Sequence, residues 1–342
     1  MMPSGPAGTA PLLSDDPAVR EFLATYLDVD AAVARIEFLS GGVSSAVAQV
    51  VVGGDCFVIK QALPQLRVAA TWLSRPERSG IEARCAEVLE RLVPGSVPRV
   101  VRVVPEAHAF VMECAPAGSE TWKAHLMRGE VGLDVAQAAG LLLGRIHTTT
   151  AGVPALASEF ADTSFFTELR IEPYLHHTAS RHPELARELG TLGDWLSGPG
   201  ICLVHGDYSP KNILVTPAGD LLLLDHEVAH WGQPAFDVAF ALSHLCLKAI
   251  HFRGSRPYLE AATTFLDAYR ASSSVADVAT GAPCGELLAG LVLARVDGKS
   301  PVEYVAGDDK RVARVLAGRI LRDPAATPEA VLAAVREVAA DA

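Results

Sequence analysis

Positive charge is scarce in this chain of 342 residues. Lys and Arg total 29 against 40 Asp and Glu residues, which gives a formal net charge of −11. Such a balance argues against nucleic acid or an anionic membrane as the main partner, and it would suit a cationic one. It still leaves room for a small local basic site that binds phosphates.

Long apolar runs and closely spaced cysteines are also missing. No run approaches the roughly 20 apolar residues that a membrane-spanning helix needs, and the amino-terminal segment lacks the basic and apolar parts of a signal peptide. The six cysteines lie far apart and form no C-x-x-C pair. They therefore predict small buried residues in a reducing cytosol. We expect a soluble cytoplasmic protein without a membrane partner, whose oligomeric state stays open.

Hydrophobic patterning divides the chain into a tail and two lobes. Residues 1–16 predict a disordered tail, residues 17–114 a first lobe and residues 115–342 a second. The first lobe shows a helix, three β-rich runs joined by Gly-containing turns, a second helix and two more strands. Helical spacing dominates the second lobe, apart from a strand and loop pattern between residues 201 and 227. The prediction is a bilobal α+β protein, with a small antiparallel-sheet N-lobe and a larger, mainly helical C-lobe.

One pentapeptide, His226-Glu227-Val228-Ala229-His230, fits the H-E-x-x-H pattern of helical zinc sites in metalloproteases. Such a site needs both histidines on one face of a helix and a third ligand. Four leucines lead directly into Asp225, which favours a buried strand, and Gly232 and Pro234 leave a helix little length. A zinc peptidase is therefore only a remote alternative, and the acidic pair of Asp225 and Glu227 is the preferred interpretation.

The segment VHGDYSPKNILV carries the most informative motif. Asp207 is followed five residues later by Asn212 and, after a hairpin, by Asp225 at the end of an apolar strand. Phosphoryl transfer from ATP needs a group that positions or deprotonates the acceptor hydroxyl and oxygen ligands for Mg²⁺. Protein kinases supply these groups in the same order and spacing. The motif predicts Asp207 as catalytic base, Asn212 and Asp225 as magnesium ligands, and Glu227 as a ligand of a second metal or its water.

Upstream residues complete the prediction of an ATP site. Lys60, on the third strand, is expected to clamp the phosphates, with Glu82 as the first choice of helix partner and Glu87 as the second. The loop SGGVSS is expected to close over the phosphates through its backbone N–H groups. The residues assigned to this loop contact are Gly42, Ser44 and Ser45, and those assigned to an adenine-binding hinge are Met112, Glu113 and Cys114.

Two further stretches are candidates for the acceptor side. The segment with Phe165, Phe166, Arg170 and Tyr174 precedes the Asp207 loop, and it either caps a substrate or packs as an ordinary helix. Arg295 either stabilises charge on the transferring phosphate or forms a structural ion pair with Asp297 or another carboxylate.

Together these motifs resemble the aminoglycoside phosphotransferase/choline kinase superfamily of small-molecule kinases. The segments HGDYSPKN, LLDHE and FDVAF carry the resemblance, while IKQALPQLR and RPERSGIEA look like methylthioribose kinase. The resemblance implies a protein-kinase-like fold, ATP with Mg²⁺, and His205 and Asp237 as braces of the catalytic loop.

The acceptor is expected to be small, because the protein-kinase motifs that handle protein substrates are absent. His-Gly-Asp and Asp-His-Glu stand where protein kinases have His-Arg-Asp and Asp-Phe-Gly, and Ala-Pro-Glu is missing. We therefore expect transfer of the γ-phosphate to a hydroxyl of a sugar-containing metabolite or antibiotic. The alternative is a catalytically inactive nucleotide-binding protein, against which the intact set of Lys60, Asp207, Asn212 and Asp225 argues.

Overall fold

A sheet of five antiparallel strands forms the first of two units in the computed structural model, which describes residues 13–39, 44–66, 72–253, 255–322 and 326–340. The first unit comprises the described residues up to Val88 together with Pro98–Ala115. The second comprises Leu89–Val97 and the described residues from Pro116 onward. Residues 89–97, predicted as part of the N-lobe, thus go with the second unit, where the Leu223 N–H donates to the Ser96 carbonyl at 2.7 Å.

The sheet of the first unit has the strand order β1-β2-β3-β5-β4, and every neighbouring pair is antiparallel. In chain order, the helices and strands up to Glu113 are α1 (Asp16–Tyr26), β1 (Arg35–Phe38), β2 (Ser45–Val52), β3 (Asp55–Ala62), α2 (Arg78–Leu92), β4 (Val100–Val104) and β5 (Ala109–Glu113). The predicted meander and the two later strands are confirmed. Alternate residues of β2 are buried, and Ala48 and Val50 share a hydrophobic cluster with Phe22 and Leu23 of α1.

Helix α1 begins where its capping residues predict. Asp15 is the N-cap and accepts the Ala18 N–H at 3.0 Å, and Pro17 lies in the first turn, where its missing N–H costs nothing. Leu13 is buried, and its N–H donates to Gln61 Oε1 at 2.7 Å. Leu13 of the predicted tail is therefore packed against the sheet, Asp15 and Asp16 belong to the start of α1, and residues 1–12 lie outside the described residues.

The cysteine prediction is wrong at two positions. Cys56 and Cys114 form a disulfide with Cα atoms 5.4 Å apart, because β3 and β5 are neighbours and bring the two residues opposite each other. The other four cysteines, Cys85, Cys202, Cys246 and Cys284, are free and buried, as predicted. Since disulfides are rare in the cytosol, the cysteines do not argue for a reducing compartment, and the cytoplasmic location stays a prediction.

Helices make up most of the second unit. Its strands are β6 (Glu120–Thr121), β7 (Cys202–Val204), β8 (Ile213–Val215), β9 (Leu221–Leu223) and β10 (His230–Gly232), and its helices are α3 (Trp122–Met127), α4 (Leu133–Thr150), α5 (Pro154–Glu159), α6 (Ser164–Phe166), α7 (His177–Arg181), α8 (Ala186–Leu196), α9 (Ala235–His251), α10 (Arg256–Ser272), α11 (Ala276–Ala279), α12 (Ala282–Asp297), α13 (Asp308–Ile320) and α14 (Pro328–Ala340). A π-helix spans Thr167–His176 and contains Pro173. None of the helices in the described part of the chain is long and apolar enough to cross a membrane.

Close helix packing in this unit depends on a glycine. A Cβ on Gly140 of α4 would lie 2.3 Å from the Phe265 carbonyl oxygen of α10, so only glycine permits this approach. Helix α9 is buried along nearly its whole length, which is typical of a continuous apolar sequence. Two small sheets, β10-β7 and β6-β8-β9, lie beside these helices and hold the loops that carry the motif residues.

The disulfide predicts a thiol count and a stability change. Unfolded protein should show four reactive thiols without reductant and six after reduction. Because the bridge closes a loop with a sequence separation of 58, we expect its loss in the double variant C56S/C114S to lower the free energy of unfolding by up to about 4 kcal/mol. Ellman titration in denaturant and urea unfolding measure the two quantities.

Reductant added to the double variant is the matched control and should change nothing. Six thiols in the unreduced protein would contradict the disulfide.

Candidate active site

A buried carboxylate on α9 fixes the loop that carries Asp207. Asp237 is fully buried, and its two carboxylate oxygens accept the backbone N–H groups of His205 at 2.7 Å and Gly206 at 2.8 Å. His147 Nε2 lies 3.3 Å from the same carboxylate. Burial alone would raise the pKa of Asp237, but the contacts with His147 and His205 outweigh it and lower the pKa. The predicted brace at Asp237 therefore exists in the structure as an ionised carboxylate.

Gly206 occupies a position that other residues cannot take. Its φ is +76°, in the left-handed region, and a Cβ would lie 2.8 Å from Val228 Cγ2. This explains in physical terms why His-Gly-Asp replaces His-Arg-Asp here.

His205 joins this loop to the segment that precedes Asp225. Its Nδ1 accepts the Asp207 N–H at 3.0 Å, so Nε2 carries the hydrogen and donates to the Leu224 carbonyl at 3.0 Å. Burial lowers the pKa of the imidazole, which keeps it neutral in this arrangement. His205 is thus a bridge between two loops, as the resemblance implies.

The two carboxylate oxygens of Asp207 have different surroundings. Oδ2 contacts both Arg170 Nη2 and Lys211 Nζ, each at 2.9 Å, while the buried Oδ1 has no hydrogen-bond partner within the described ranges. Burial would raise the pKa of Asp207, but the charges of Lys211 and Arg170 outweigh it and lower the pKa. One oxygen is therefore anchored, and the other remains available to a substrate hydrogen.

Asn212 and Asp225 lie on the two segments that His205 connects. The Asn212 side-chain amide donates to the Asp207 carbonyl at 3.0 Å, and the Asn212 carbonyl accepts the Leu224 N–H at 2.8 Å. This hydrogen bond turns the amide nitrogen toward the loop, so Oδ1 is the atom left for a cation.

Asp225 and Glu227 do not continue the strand that precedes them. Strand β9 ends at Leu223, and Asp225 follows in a left-handed conformation with φ of +69°. Glu227 lies in the following turn and is 5% exposed. The two carboxylates are therefore directed by loop geometry and not by the period of a strand.

The zinc interpretation fails because its histidines do not share a helix. His226 lies in the loop after β9, and its ring is 4.7 Å from that of His205, whereas His230 begins β10 and stacks on Phe166 at 4.0 Å. Burial lowers the pKa of His230 to about 4. No group of three or more His, Cys, Asp and Glu side chains in the described residues is placed to hold a metal ion.

In the first unit, the structure pairs Lys60 with Glu82. Lys60 Nζ lies 2.6 Å from Glu82 Oε1, and both side chains are buried between β3 and α2. The second choice, Glu87, contacts Arg84 at 3.2 Å on the exposed face of α2 instead. The buried pair fixes the position of an ammonium group in the sheet.

Ser44 and Ser45 are buried at the start of β2, and Gly42 lies outside the described residues. The Ser44 carbonyl accepts both the Leu63 N–H, at 2.9 Å, and the Arg78 guanidinium. Arg78 also donates to the Leu63 carbonyl at 2.9 Å. A buried arginine of α2 thus holds the end of the glycine loop against the end of β3.

The three predicted hinge residues lie at the end of β5. Met112 is half-buried and pairs with Val58 of β3, Glu113 forms an ion pair with Arg99, and Cys114 is in the disulfide. Cys114 is therefore held covalently to the start of β3.

Arg295 does not pair with Asp297. Asp297 binds Arg314 at 2.7 Å and His182 at 2.8 Å, whereas Arg295 donates to the Tyr174 hydroxyl at 3.1 Å and to Ser300. Its guanidinium also lies over the Tyr174 ring, 5.5 Å from the centroid. Among the described residues Arg295 does not contact Asp207 directly, and its aromatic partner Tyr174 belongs to the π-helix.

Packing, one of the two alternatives for the π-helix segment, is confirmed for its aromatic residues, and substrate capping stays a prediction. Phe165 and Phe166 are buried and pack, with Phe166 against Phe236 and His230. Arg170 instead binds Asp207 and donates through Nε to the Gly206 carbonyl at 2.7 Å. Single π-turns often mark functional sites, because they redirect side chains of a helix.

The structure gives contacts to four residues that the sequence motifs did not predict in these positions: Lys211, Arg170, His147 and Arg78. Lys211 lies four residues after Asp207 inside the motif, so helical-turn spacing would have placed it near the carboxylate. For Arg170 the sequence pattern predicts substrate capping or helix packing and gives no indication of its contact with Asp207. The remaining two, His147 and Arg78, act across long sequence separations and leave no local signal.

Residues 35–271 match the model of a family described as a phosphotransferase enzyme family. Methylthioribose kinase of Erwinia tasmaniensis is 26% identical over 234 residues, which cover 60% of this chain and 57% of that enzyme. The chain thus spans little more than half the length of that relative.

Solved kinase structures share the fold. A choline/ethanolamine kinase family protein from Mesorhizobium loti has a TM-score of 0.54 and 16% identity, covering 94% of this chain and 99% of that one. Ethanolamine kinase of Plasmodium vivax has a TM-score of 0.55 and 10% identity, covering 93% of each chain. At these identities the likeness shows the fold alone, and the predicted bilobal α+β fold class is confirmed.

Replacing Asp237 should weaken the fold as well as the site. In D237N, one of the two backbone N–H donors meets an amide NH₂ group, so we expect a loss of about 2–4 kcal/mol in the free energy of unfolding. Urea unfolding at neutral pH measures it. D267N removes the same charge from an exposed position of α10 and should change stability little. Equal stabilities of both variants would contradict the brace.

The loss of unfolding free energy caused by D237N should also depend on pH. Because folding lowers the pKa of Asp237, the ionised carboxylate stabilises the fold fully above its unfolded pKa of about 4 and progressively less below it. The stability difference between parent and D237N should therefore shrink as the pH falls from about 5 to about 3. A difference independent of pH would assign the effect to packing alone.

Proposed function

The chain belongs to the phosphotransferase enzyme family, and from this premise we propose that it is an ATP-dependent small-molecule kinase. The γ-phosphate of ATP passes to a hydroxyl of a sugar-containing metabolite. The observation that carries this proposal is the Asp207 carboxylate, which is anchored at Oδ2 and unpaired at the buried Oδ1. Such a carboxylate is suited to accept the hydrogen of one hydroxyl in a fixed direction.

Asp207 positions the hydroxyl first and takes its proton as transfer proceeds. The acceptor oxygen forms a bond to the γ-phosphorus, the bond from phosphorus to the bridging oxygen breaks, and ADP leaves. Because the transition state of phosphoryl transfer is loose, little base strength is needed early. The lowered pKa of Asp207 is compatible with that role, since the carboxylate stays ionised at neutral pH.

Oxygen donors suited to Mg²⁺ lie on the segments that His205 connects. Asn212 Oδ1 is left for a cation by the hydrogen bond of its amide nitrogen, and the left-handed backbone of Asp225 sets the direction of its carboxylate. Hard oxygen ligands of this kind are those that Mg²⁺ prefers. Bound Mg²⁺ would neutralise charge on the phosphates. We assign Asn212 and Asp225 as its ligands, with Glu227 as a ligand of a second ion or its water.

In the first unit, Lys60 is the proposed phosphate contact. Its buried ion pair with Glu82 holds the ammonium group in one position, which a flexible lysine would otherwise lose to rotamer entropy. Ser44, Ser45 and the loop with Gly42 are assigned to the phosphates, and Met112, Glu113 and Cys114 to the adenine.

Two other functions remain to be tested. The net charge of −11 would suit an aminoglycoside antibiotic as acceptor, whereas the similarity to methylthioribose kinase supports a sugar metabolite. A protein that binds ATP but transfers nothing is the non-catalytic alternative. Single-turnover reactions with γ-labelled ATP and a panel of methylthioribose, aminoglycosides, nucleosides, choline and homoserine separate them, because an inactive protein would label no acceptor.

Removing the Asp207 carboxylate should abolish most turnover and leave ATP binding intact. We expect D207A to lose roughly 10²–10⁴-fold in kcat, with an unchanged Kd for Mg·ATP by calorimetry. D267A, at an exposed position of α10, is the charge-matched control. Near-normal turnover of D207A would exclude it as the base.

Asp225 should instead act through the metal. We expect D225A to weaken the binding of ATP in the presence of Mg²⁺ and to leave the much weaker metal-free binding unchanged. Calorimetry with Mg²⁺ and with EDTA measures both. Equal affinities of parent and variant in the two conditions would remove Asp225 from the metal site.

A further inference from the structure

Five basic side chains of the second unit lie around the Asp207 loop. We call them the basic cluster, and they are Lys123, Arg170, Lys211, Lys248 and Arg295. In a protein with 11 more acidic than basic residues, a local group of this sign needs an explanation.

A chain of direct contacts links the cluster to the catalytic loop on one side. Arg170 binds Asp207 at 2.9 Å, and its guanidinium lies over the Tyr174 ring, 5.7 Å from the centroid. Arg295 lies over the same ring at 5.5 Å and donates to its hydroxyl. A single aromatic side chain therefore connects Arg295 with the partner of Asp207.

A second chain of contacts approaches from α3 and α9. The Lys123 N–H donates to the Pro210 carbonyl of the catalytic loop at 2.8 Å, and the Lys123 ammonium binds Glu303. The next residue, Tyr304, lies beside Lys248, whose Nζ is 3.4 Å from its hydroxyl and 5.0 Å from its ring centroid.

Two of these basic side chains, Lys248 and Arg295, form no direct ion pair in the described part of the chain. Within the described residues, Lys248 is fully buried and Arg295 is 9% exposed, and neither contacts a carboxylate. Arg295 Nε is buried without any hydrogen-bond partner in those ranges. Burial lowers the pKa of Lys248 to about 7, and Glu303 is a nearby opposite charge for both side chains. A buried basic group without a direct ion pair costs free energy, and an anionic ligand would supply the missing partner at this place.

His244 gives an independent indication of the charge in this region. It lies one turn before Lys248 on α9, and its buried Nε2 has no hydrogen-bond partner in the described part of the chain. Burial, followed by the charges of Arg295, Lys248, Lys211 and Lys123, lowers its pKa well below the usual value. The ring is therefore neutral, and the charges that act on it belong to the basic cluster.

Resting on the proposed function, we propose that the acceptor substrate carries an anionic group, which binds at Lys248 and Arg295 while its hydroxyl lies at Asp207. A carboxylate and a phosphate ester share this chemistry. The inference distinguishes the substrate from polycationic aminoglycosides, which Lys248 and Arg295 would repel. The acidic surface of the protein does not oppose it, because local contacts decide what a site binds.

The experiment compares wild-type kcat/KM for acceptors that share a carbon skeleton and differ in charge. The pairs are ribose with ribonate and ribose 5-phosphate, and glucose with gluconate and glucose 6-phosphate, with kanamycin as the cationic member. We expect at least about a tenfold preference for an anionic member over its neutral partner. The carboxylate and phosphate arms identify which anion is bound.

Variants then locate the anion. K248M and R295Q should each raise KM for the preferred anionic acceptor about 10- to 100-fold, with the Kd for Mg·ATP unchanged. R187M removes a charge from an exposed position of α8 and should behave as wild type. Since the wild-type comparison needs no variant, the inference stays testable even if one substitution prevents folding.

The outcomes separate this inference from the proposed function. Phosphorylation that favours neutral or cationic acceptors overturns the anionic substrate and leaves the kinase intact. Weakened Mg·ATP binding in K248M and R295Q, without a change for the acceptor, also overturns it, because the cluster would then serve the nucleotide. Failure to label any acceptor of any charge overturns the proposed function itself.

Discussion

The geometry of the site depends on the buried carboxylate of Asp237. It accepts two consecutive backbone N–H groups and thereby fixes the direction in which the chain enters the catalytic loop. His205 transmits this position to Asp207 through one ring nitrogen and to the segment before Asp225 through the other. A charge-assisted contact of this kind is strong only because water is excluded from it. The catalytic loop is thus positioned from α9 and not by its own residues.

The net charge of the whole chain and the charge of the side chains around Asp207 have opposite signs. The chain as a whole is acidic, yet the side chains nearest to Asp207 are Arg170 and Lys211, and Lys248 and Arg295 are buried farther along the same contacts. Net charge governs long-range steering and solubility, whereas desolvated groups govern what a site binds. Composition alone therefore does not identify the class of substrate that a site of this protein binds.

Backbone conformation explains why glycine and aspartate stand at positions 206 and 225 of the motifs. Gly206 is needed because its backbone is left-handed and Val228 occupies the place of a Cβ. Asp225 also has a left-handed backbone, which an aspartate adopts more readily than most residues. The letters H-E-x-x-H overlap this loop, and tertiary packing uses the two histidines for ring contacts with His205 and Phe166.

Local sequence patterns were sufficient to predict the α+β fold class, the three strands of the first meander, Glu82 as the first choice of partner for Lys60 and the spacing of Asp207, Asn212 and Asp225. All of these follow from periodicity or motif order, which are local properties of the chain. Tertiary structure alone decided the Cys56–Cys114 bridge, the attachment of Arg170 to Asp207, the separation of Arg295 from Asp297 and the burial of Lys248. Each of these joins residues that are distant in sequence or depends on which face of a helix is desolvated, and neither property is encoded in a short stretch of residues.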